Sequence, residues 1–136
     1  TATDFSENML AAARKNAPGA AFVQAELKEV PEKLAGRGFD CIYAAYSMHH
    51  LPDERKYALL DKLKALLNPE GVIVVGDVSF PDRAGLEAVR EAYEDDWDDS
   101  EFYVVREELE QAMTEFDVDC IPISFCADVL ILSPAD

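Results

Sequence analysis

The chain has 136 residues, 49% of them hydrophobic and 29% charged, the composition of one globular domain large enough to bury a core. Its 28 Asp and Glu outnumber 12 Lys and Arg, and the net charge of −16 repels phosphate backbones and anionic headgroups, so neither nucleic acid nor a membrane surface is an expected partner. No apolar run is long enough to span a bilayer, and three cysteines (Cys41, Cys120, Cys126) without a C-x-x-C pair suit a reducing cytoplasm better than a disulfide scaffold or a zinc site.

Thr1 to Thr3 are β-compatible. Ser6 then stands where an N-cap belongs, ahead of a helical run from Glu7 to Lys15 with an acid in its first turn and bases in its last. Pro18 and Gly19 stop that helix. Ala21 to Leu27 reads as a strand, and Pro31 to Leu34 as a short helix. Gly36-Arg37-Gly38 forms a turn before Phe39 to Tyr46, which is apolar on both faces, as buried parallel strands are. Pro52-Asp53-Glu54 opens a helix carrying Tyr57, Leu60, Leu63, Leu66 and Leu67 at helical spacing, closed by Asn68-Pro69-Glu70-Gly71. Val72 to Gly76 is the strongest strand. Helices follow at about Arg83 to Tyr93 and Arg106 to Phe116, then two strands, Val118 to Phe125 and Ala127 to Ser133. Strands alternate with helices through residue 80, which predicts an α/β sheet with right-handed crossovers, ending in an antiparallel hairpin at one edge. No repeat, low-complexity segment or second domain is visible.

Four ordered segments resemble one family. Asp4-Phe5-Ser6-Glu7-Asn8-Met9-Leu10-Ala11-Ala12-Ala13 is similar to the D-x-S-x-x-M-L-x-x-A stretch of class I S-adenosylmethionine-dependent methyltransferases. Phe22 to Leu27 resembles the strand that follows it. Phe39-Asp40-Cys41-Ile42 with Met48-His49-His50-Leu51-Pro52 resembles F-D-x-V…L-H-H-L-P, and Leu66 to Gly71 resembles L-L-x-P-G-G. The resemblance covers nearly the whole chain. It implies a Rossmann-like three-layer α/β sandwich with a C-terminal antiparallel hairpin, in a single methyltransferase domain spanning 1–136. The family's Gly-rich turn has no counterpart here, because the only G-x-G, Gly36-Arg37-Gly38, precedes a strand instead of following one. The resemblance therefore implies a partial domain that lacks the first strand. Such a sheet has unpaired strand edges, through which a homodimer is an expected arrangement.

The resemblance also assigns roles, each beside a simpler one. A carboxylate at the end of a second α/β strand accepts hydrogen bonds from ribose hydroxyls, which is the role implied for Asp4; capping the helix that starts at Ser6 is the alternative. Glu26 and Leu27 match positions facing adenine, with Glu in place of the more usual Asp, or else are exposed loop residues. Phe5 or Met9 lies against the ring, or Met9 belongs to the core. Ala44 and Tyr46 end a strand at its carboxyl side, where ligands of open α/β sheets bind and backbone meets the cofactor's amino group; Tyr46 is equally readable as packing. His49 is a candidate general base, or a loop-orienting group. Adjacent His49 and His50 do not make a metal site without a third ligand. Asp77 lines the substrate side or caps a turn. The acidic run Glu94 to Glu101 reads as a solvated face, with Trp97 and Tyr103 as a lid in one reading.

The expected function is S-adenosylmethionine-dependent methyl transfer to a small-molecule acceptor, in the cytoplasm. The alternative is an inactive or binding-only fragment of the same fold, completed by an upstream segment or a second chain. A short-chain nicotinamide reductase is disfavoured, since none of the five tyrosines has a lysine four residues later.

Overall fold

A three-residue strand, β1 (Ala2–Asp4), pairs in parallel with β2 (Phe22–Gln24) in the register Ala2↔Phe22, Thr3↔Val23, Asp4↔Gln24. In the computed structural model, which describes residues 1–136, this pair forms the sheet of the first of two compact units, Thr1–Arg37 and Gly38–Asp136. Helix α1 (Glu7–Asn16) connects the two strands. The Ser6 side chain accepts the Met9 N–H at 3.3 Å, as the sequence predicts for an N-cap, and Arg14 reaches back to Glu7 at 2.9 Å. β2 stops three residues short of the expected Leu27. Ala25 N–H donates to the Asp4 carbonyl at 3.0 Å and Glu26 N–H donates to the Glu29 carboxylate at 2.8 Å, so a 3₁₀ turn (Leu27–Glu29) replaces the strand's end. Helix α2 (Val30–Lys33) follows. Leu10, Ala25, Val30, Pro31 and Leu34 are the buried apolar residues of this unit.

The second unit is built on a five-stranded sheet. Strands β3 (Phe39–Ala45), β4 (Leu67–Phe80), β6 (Phe116–Ser124) and β7 (Ala127–Pro134) lie in the order β3-β4-β7-β6, and the short β5 (Val104–Val105) pairs with the end of β4. β3 and β5 run parallel to β4, while β7 runs antiparallel to both β4 and β6. The closing hairpin thus forms one edge of the sheet, as expected. Ile73 and Val75 of β4, with Leu130 and Leu132 of β7, bury one face. Against it lie Leu59, Leu60 and Leu63 of α3 (Asp53–Lys64), and Leu109 of α5 (Arg106–Ala112) with Met113 just beyond it. The other face is covered at its far end. There Val78 and Phe80 receive Leu86 and Val89 of α4 (Arg83–Ala92), with Trp97 and Tyr103.

Two expectations need correction here. Phe39 to Tyr46 is not a strand buried on both faces, for Cys41, Tyr43 and Ala45 are exposed, Tyr43 at 69%. β3 is the outermost strand of its sheet, and these residues lie beyond the cover that α4 gives the far end of that face. The Asn68 to Gly71 turn also lies inside a strand. β4 begins at Leu67 opposite Phe39, and the next pair is Cys41↔Val72, so residues 68–71 bulge out of the ladder. Glu70 sits in that bulge at φ 63, and a Cβ on Gly71 would come within 2.8 Å of the Phe39 carbonyl oxygen, so only glycine fits there.

Candidate functional site

In the first unit the predicted cofactor residues cluster where β1 ends. Asp4 is half-buried, and its Oδ1 accepts the Ser6 N–H at 2.8 Å. The carboxylate therefore fixes the turn into α1 with one oxygen and makes no hydrogen bond within the chain through the other. Phe5 is 72% exposed and Met9 60%, so the core role open to Met9 is ruled out: the face of α1 that packs inward is the one carrying Leu10. Phe5 and Glu26 line the same cleft of about 290 Å3, together with Gln24, Ala25, Glu29 and Lys33. Its rim is braced. Gln24 donates from its side chain to the Phe5 carbonyl at 3.0 Å, and Lys33 Nζ donates to the Gln24 carbonyl at 2.7 Å. Glu26 is exposed and ion-paired to Lys28 at 2.9 Å. The Glu26 N–H, bound to the Glu29 carboxylate, holds that carboxyl below the usual range. Leu27 is half-buried and opens the 3₁₀ turn, outside the cleft lining.

In the second unit, β3 ends at Ala45, and Ala44 is half-buried. Tyr46 follows at φ 47, 63% exposed, with its N–H held by the Gly76 carbonyl at 2.8 Å. A bulky residue in the left-handed region is uncommon, and strain of this kind collects at functional sites. The packing reading of Tyr46 fails, because the residue is mostly exposed. Next comes a 3₁₀ turn (Met48–His50) with Met48 and His49 buried and His50 exposed.

Asp77 explains that turn. It is 3% exposed and accepts four donors: Met48 N–H at 3.0 Å and His49 N–H at 3.2 Å on Oδ2, His49 Nδ1 at 2.7 Å and Val78 N–H at 2.8 Å on Oδ1. It lies within β4 and holds the Met48–His50 turn, which precedes it in the chain, instead of the turn that follows. Because Asp77 is an acceptor, His49 Nδ1 is the donor in that bond, and Nε2 is the ring nitrogen turned toward Glu101. That nitrogen lies 3.6 Å from Glu101 Oε1, beyond hydrogen-bonding distance. The other Glu101 oxygen accepts the Tyr103 hydroxyl at 2.7 Å. Burial, then this bond to Glu101, pushes the Tyr103 phenol well above its ordinary value, so Tyr103 stays a donor.

Glu101 faces a groove of about 190 Å3 that His49 does not line. The side chain that meets the groove is thus Glu101, at the end of the run read as a solvated face. Glu94, Asp95, Asp96, Asp98 and Asp99 are indeed exposed, while Trp97 and Glu101 are half-buried. Nothing local in the sequence separates Glu101 from its acidic neighbours; only the fold sets it beside His49. Trp97 and Tyr103 meet edge to face at 5.0 Å and pack on Phe80, so they are a wall of the groove and not a free lid. Buried Lys56 ties this segment down by donating to the Phe102 carbonyl at 2.7 Å and to Asp53 at 3.0 Å.

Comparison with known proteins places the chain in a family. A family model described as a methyltransferase domain matches residues 1–71, just over half of the chain. Trans-aconitate 2-methyltransferase of Escherichia coli is 39% identical over 75 residues, which are 55% of this chain and 28% of that protein. An uncharacterized methyltransferase of Oceanobacillus iheyensis is 32% identical over 68 residues, 50% of this chain and 31% of that one. The matches thus span about three-tenths of the length of these curated relatives. Among solved structures, DhpI in a SAM-HEP complex superposes with a TM-score of 0.73 at 20% identity, covering 97% of this chain and 66% of that one. Streptomyces venezuelae DesVI gives 0.71 at 19%, covering 98% and 73%. The fold is that of these Rossmann-like α/β proteins, and the chain belongs to the methyltransferase-domain family.

Proposed function

We propose that this chain serves S-adenosylmethionine-dependent methyl transfer to a small-molecule acceptor, with residues 1–37 holding the nucleoside end of the donor. The observation that carries the reading is the carboxyl end of β1. There the half-buried Asp4 keeps one carboxylate oxygen without a partner in the chain, and the neighbouring Phe5 lines an open cleft with Glu26. Two relatives in fold point the same way: DhpI is a SAM complex, and magnesium protoporphyrin IX methyltransferase from Synechocystis has bound SAM.

The residues suit an adenosyl group. A carboxylate at a strand's end accepts from vicinal ribose hydroxyls. The exposed faces of Phe5 and Met9 offer an apolar contact to a flat ring. Glu26 would exchange its surface pairing with Lys28 for the exocyclic amine, and the Leu27 N–H would meet a ring nitrogen. S-adenosylmethionine, when bound, supplies a methyl group on a positively charged sulfur. The protein's share is alignment and exclusion of water, so no acid or base is obligatory. His49 is the candidate base for the acceptor's proton. We place the protein in the cytoplasm; no helix is long and apolar enough to cross a membrane. The open edge of β3 is where a second copy would pair.

Calorimetric titration with S-adenosylhomocysteine tests the reading. The expected result is a Kd on the order of micromolar, weakened at least tenfold or so in Asp4→Ala. Absence of heat from the unaltered chain overturns donor binding by this chain and leaves the inactive-fragment alternative standing. An Asp4→Ala variant that binds as well as the parent removes Asp4 from the site.

A further inference from the structure

The cleft of the first unit is tied together by hydrogen bonds made entirely within residues 1–37. The β1–β2 ladder has only three register pairs, and a last bond, Ala25 N–H to the Asp4 carbonyl, closes it at the strands' ends. Beyond that bond the groups assigned to the nucleoside lie on two separate segments: Phe5 follows Asp4, and Glu26 follows Ala25. Two side chains join those segments. Gln24 ends β2, and its side-chain amide donates across to the Phe5 carbonyl at 3.0 Å. Lys33, at the end of α2, donates from Nζ to the Gln24 carbonyl at 2.7 Å, and the same nitrogen lies 3.6 Å from Glu29 Oε2. That carboxylate oxygen also accepts the Glu26 N–H at 2.8 Å. The contacts thus run Phe5–Gln24–Lys33–Glu29–Glu26, and all five residues line the cleft. The Lys33–Glu29 pair is exposed and weak by itself, so the shorter bond to the Gln24 carbonyl is the one that fixes the lysine. A two-stranded sheet holds its ends weakly, and such a chain of bonds then sets how Phe5 stands relative to Glu26.

We propose that Gln24 and Lys33 are positioning residues of this cleft: they hold Phe5 and Glu26 at the spacing of an adenosyl group before it binds. The assignment rests on the reading above, in which the cleft takes the nucleoside end of the donor. Gln24 and Lys33 act through the segments they join, and not by touching the amino-acid end of the ligand. Fixing the cleft in advance lowers the ordering cost of binding, which is the source of their contribution to affinity.

The probes are adenosine and S-adenosylhomocysteine, which share the nucleoside and differ in the amino-acid end, each titrated by calorimetry. Lys33→Met removes the amino group, and Gln24→Met removes the amide without adding charge. Each is expected to raise the Kd of both ligands by about five- to tenfold, by the same factor for the two, with circular dichroism unaltered. Lys33→Arg, which still donates, should stay within about twofold of the parent. In the ligand-free chain the Ala25 amide should exchange about tenfold faster in either Met variant and at the parental rate in Lys33→Arg. The proposal is overturned if either Met variant binds like the parent or if Lys33→Arg binds as poorly as Lys33→Met. A loss confined to S-adenosylhomocysteine also overturns it, because Lys33 would then be a contact of the amino-acid end. Should one Met variant not fold, the other decides. A parent chain that binds neither ligand faults the nucleoside reading; the Ala25 exchange then tests the brace alone, and parental exchange in the Met variants overturns it.

Discussion

Residues 1–37 and residues 38–136 both use parallel strands followed by helices, yet they hold their functional groups in different ways. β1 and β2 share three register pairs and form a sheet of two, whereas β4 is paired on both sides and contributes Ile73, fully excluded from solvent. A two-stranded sheet is marginal by itself, and a broader one with an apolar face is not. The chemistry follows that division. In the first unit Phe5, Met9 and Glu26 are exposed and Asp4 keeps a free oxygen, so the site is open and its groups remain available. In the second, Asp77 is sealed among four donors and holds the Met48–His50 turn and the His49 ring in place before any ligand arrives. An open cleft tolerates adjustment, while a turn that depends on one buried carboxylate does not.

The contrast can be broken by hydrogen exchange. Ladder amides of β4 and β7 should exchange slower than those of β1 and β2 by on the order of a hundredfold or more. Equal protection would mean that the first unit is as firmly held as the second. Next in size, Ile73→Ala should cost about 3–4 kcal/mol in urea unfolding, because it opens a cavity in the face shared with α3. A cost below about 1 kcal/mol would show that this face can collapse and is not the rigid half.

Asp77→Asn sharpens the comparison at the site itself. An amide has one acceptor oxygen and must turn its NH2 toward N–H donors, so we expect a loss of about 2 kcal/mol and a His49 ring released from its bond at Nδ1, visible in its nitrogen chemical shifts. Unchanged shifts would show that Asp77 does not hold the ring. The smallest expected effect is a gain. Glu70 occupies φ 63 in the bulge of β4, where an L side chain is strained, so Glu70→Gly should stabilise by about 0.5 kcal/mol. A loss of stability there would mean that the Glu70 side chain contributes more than its strain removes.

Much of the second unit is legible from periodicity, and the exceptions are instructive. α3 and α4 start where Asp53 and Arg83 suggest, and the closing hairpin falls within a residue or two of its expected bounds. β3 carries the same apolar letters as a buried strand, but an edge position leaves Cys41, Tyr43 and Ala45 exposed, and no local pattern states where in a sheet a strand will stand. The β1–Ser6–α1 junction is readable because caps are local: Asp4, Ser6 and Met9 interact within five residues of one another. Glu101 is unreadable for the opposite reason. It is one acid in an acidic run, and its partner His49 lies 52 positions away by residue number.

The sequence by itself determined the order of strands and helices, the cap that launches α1, the strand-end carboxylate at Asp4 and the family resemblance, since each depends on neighbours a few residues apart. Which strand became an edge, the burial of Asp77 beneath the Met48–His50 turn and the approach of Glu101 to His49 follow from the tertiary fold. Those outcomes depend on burial and on contacts between distant segments, where a charged group's meaning is set by the partners the fold supplies.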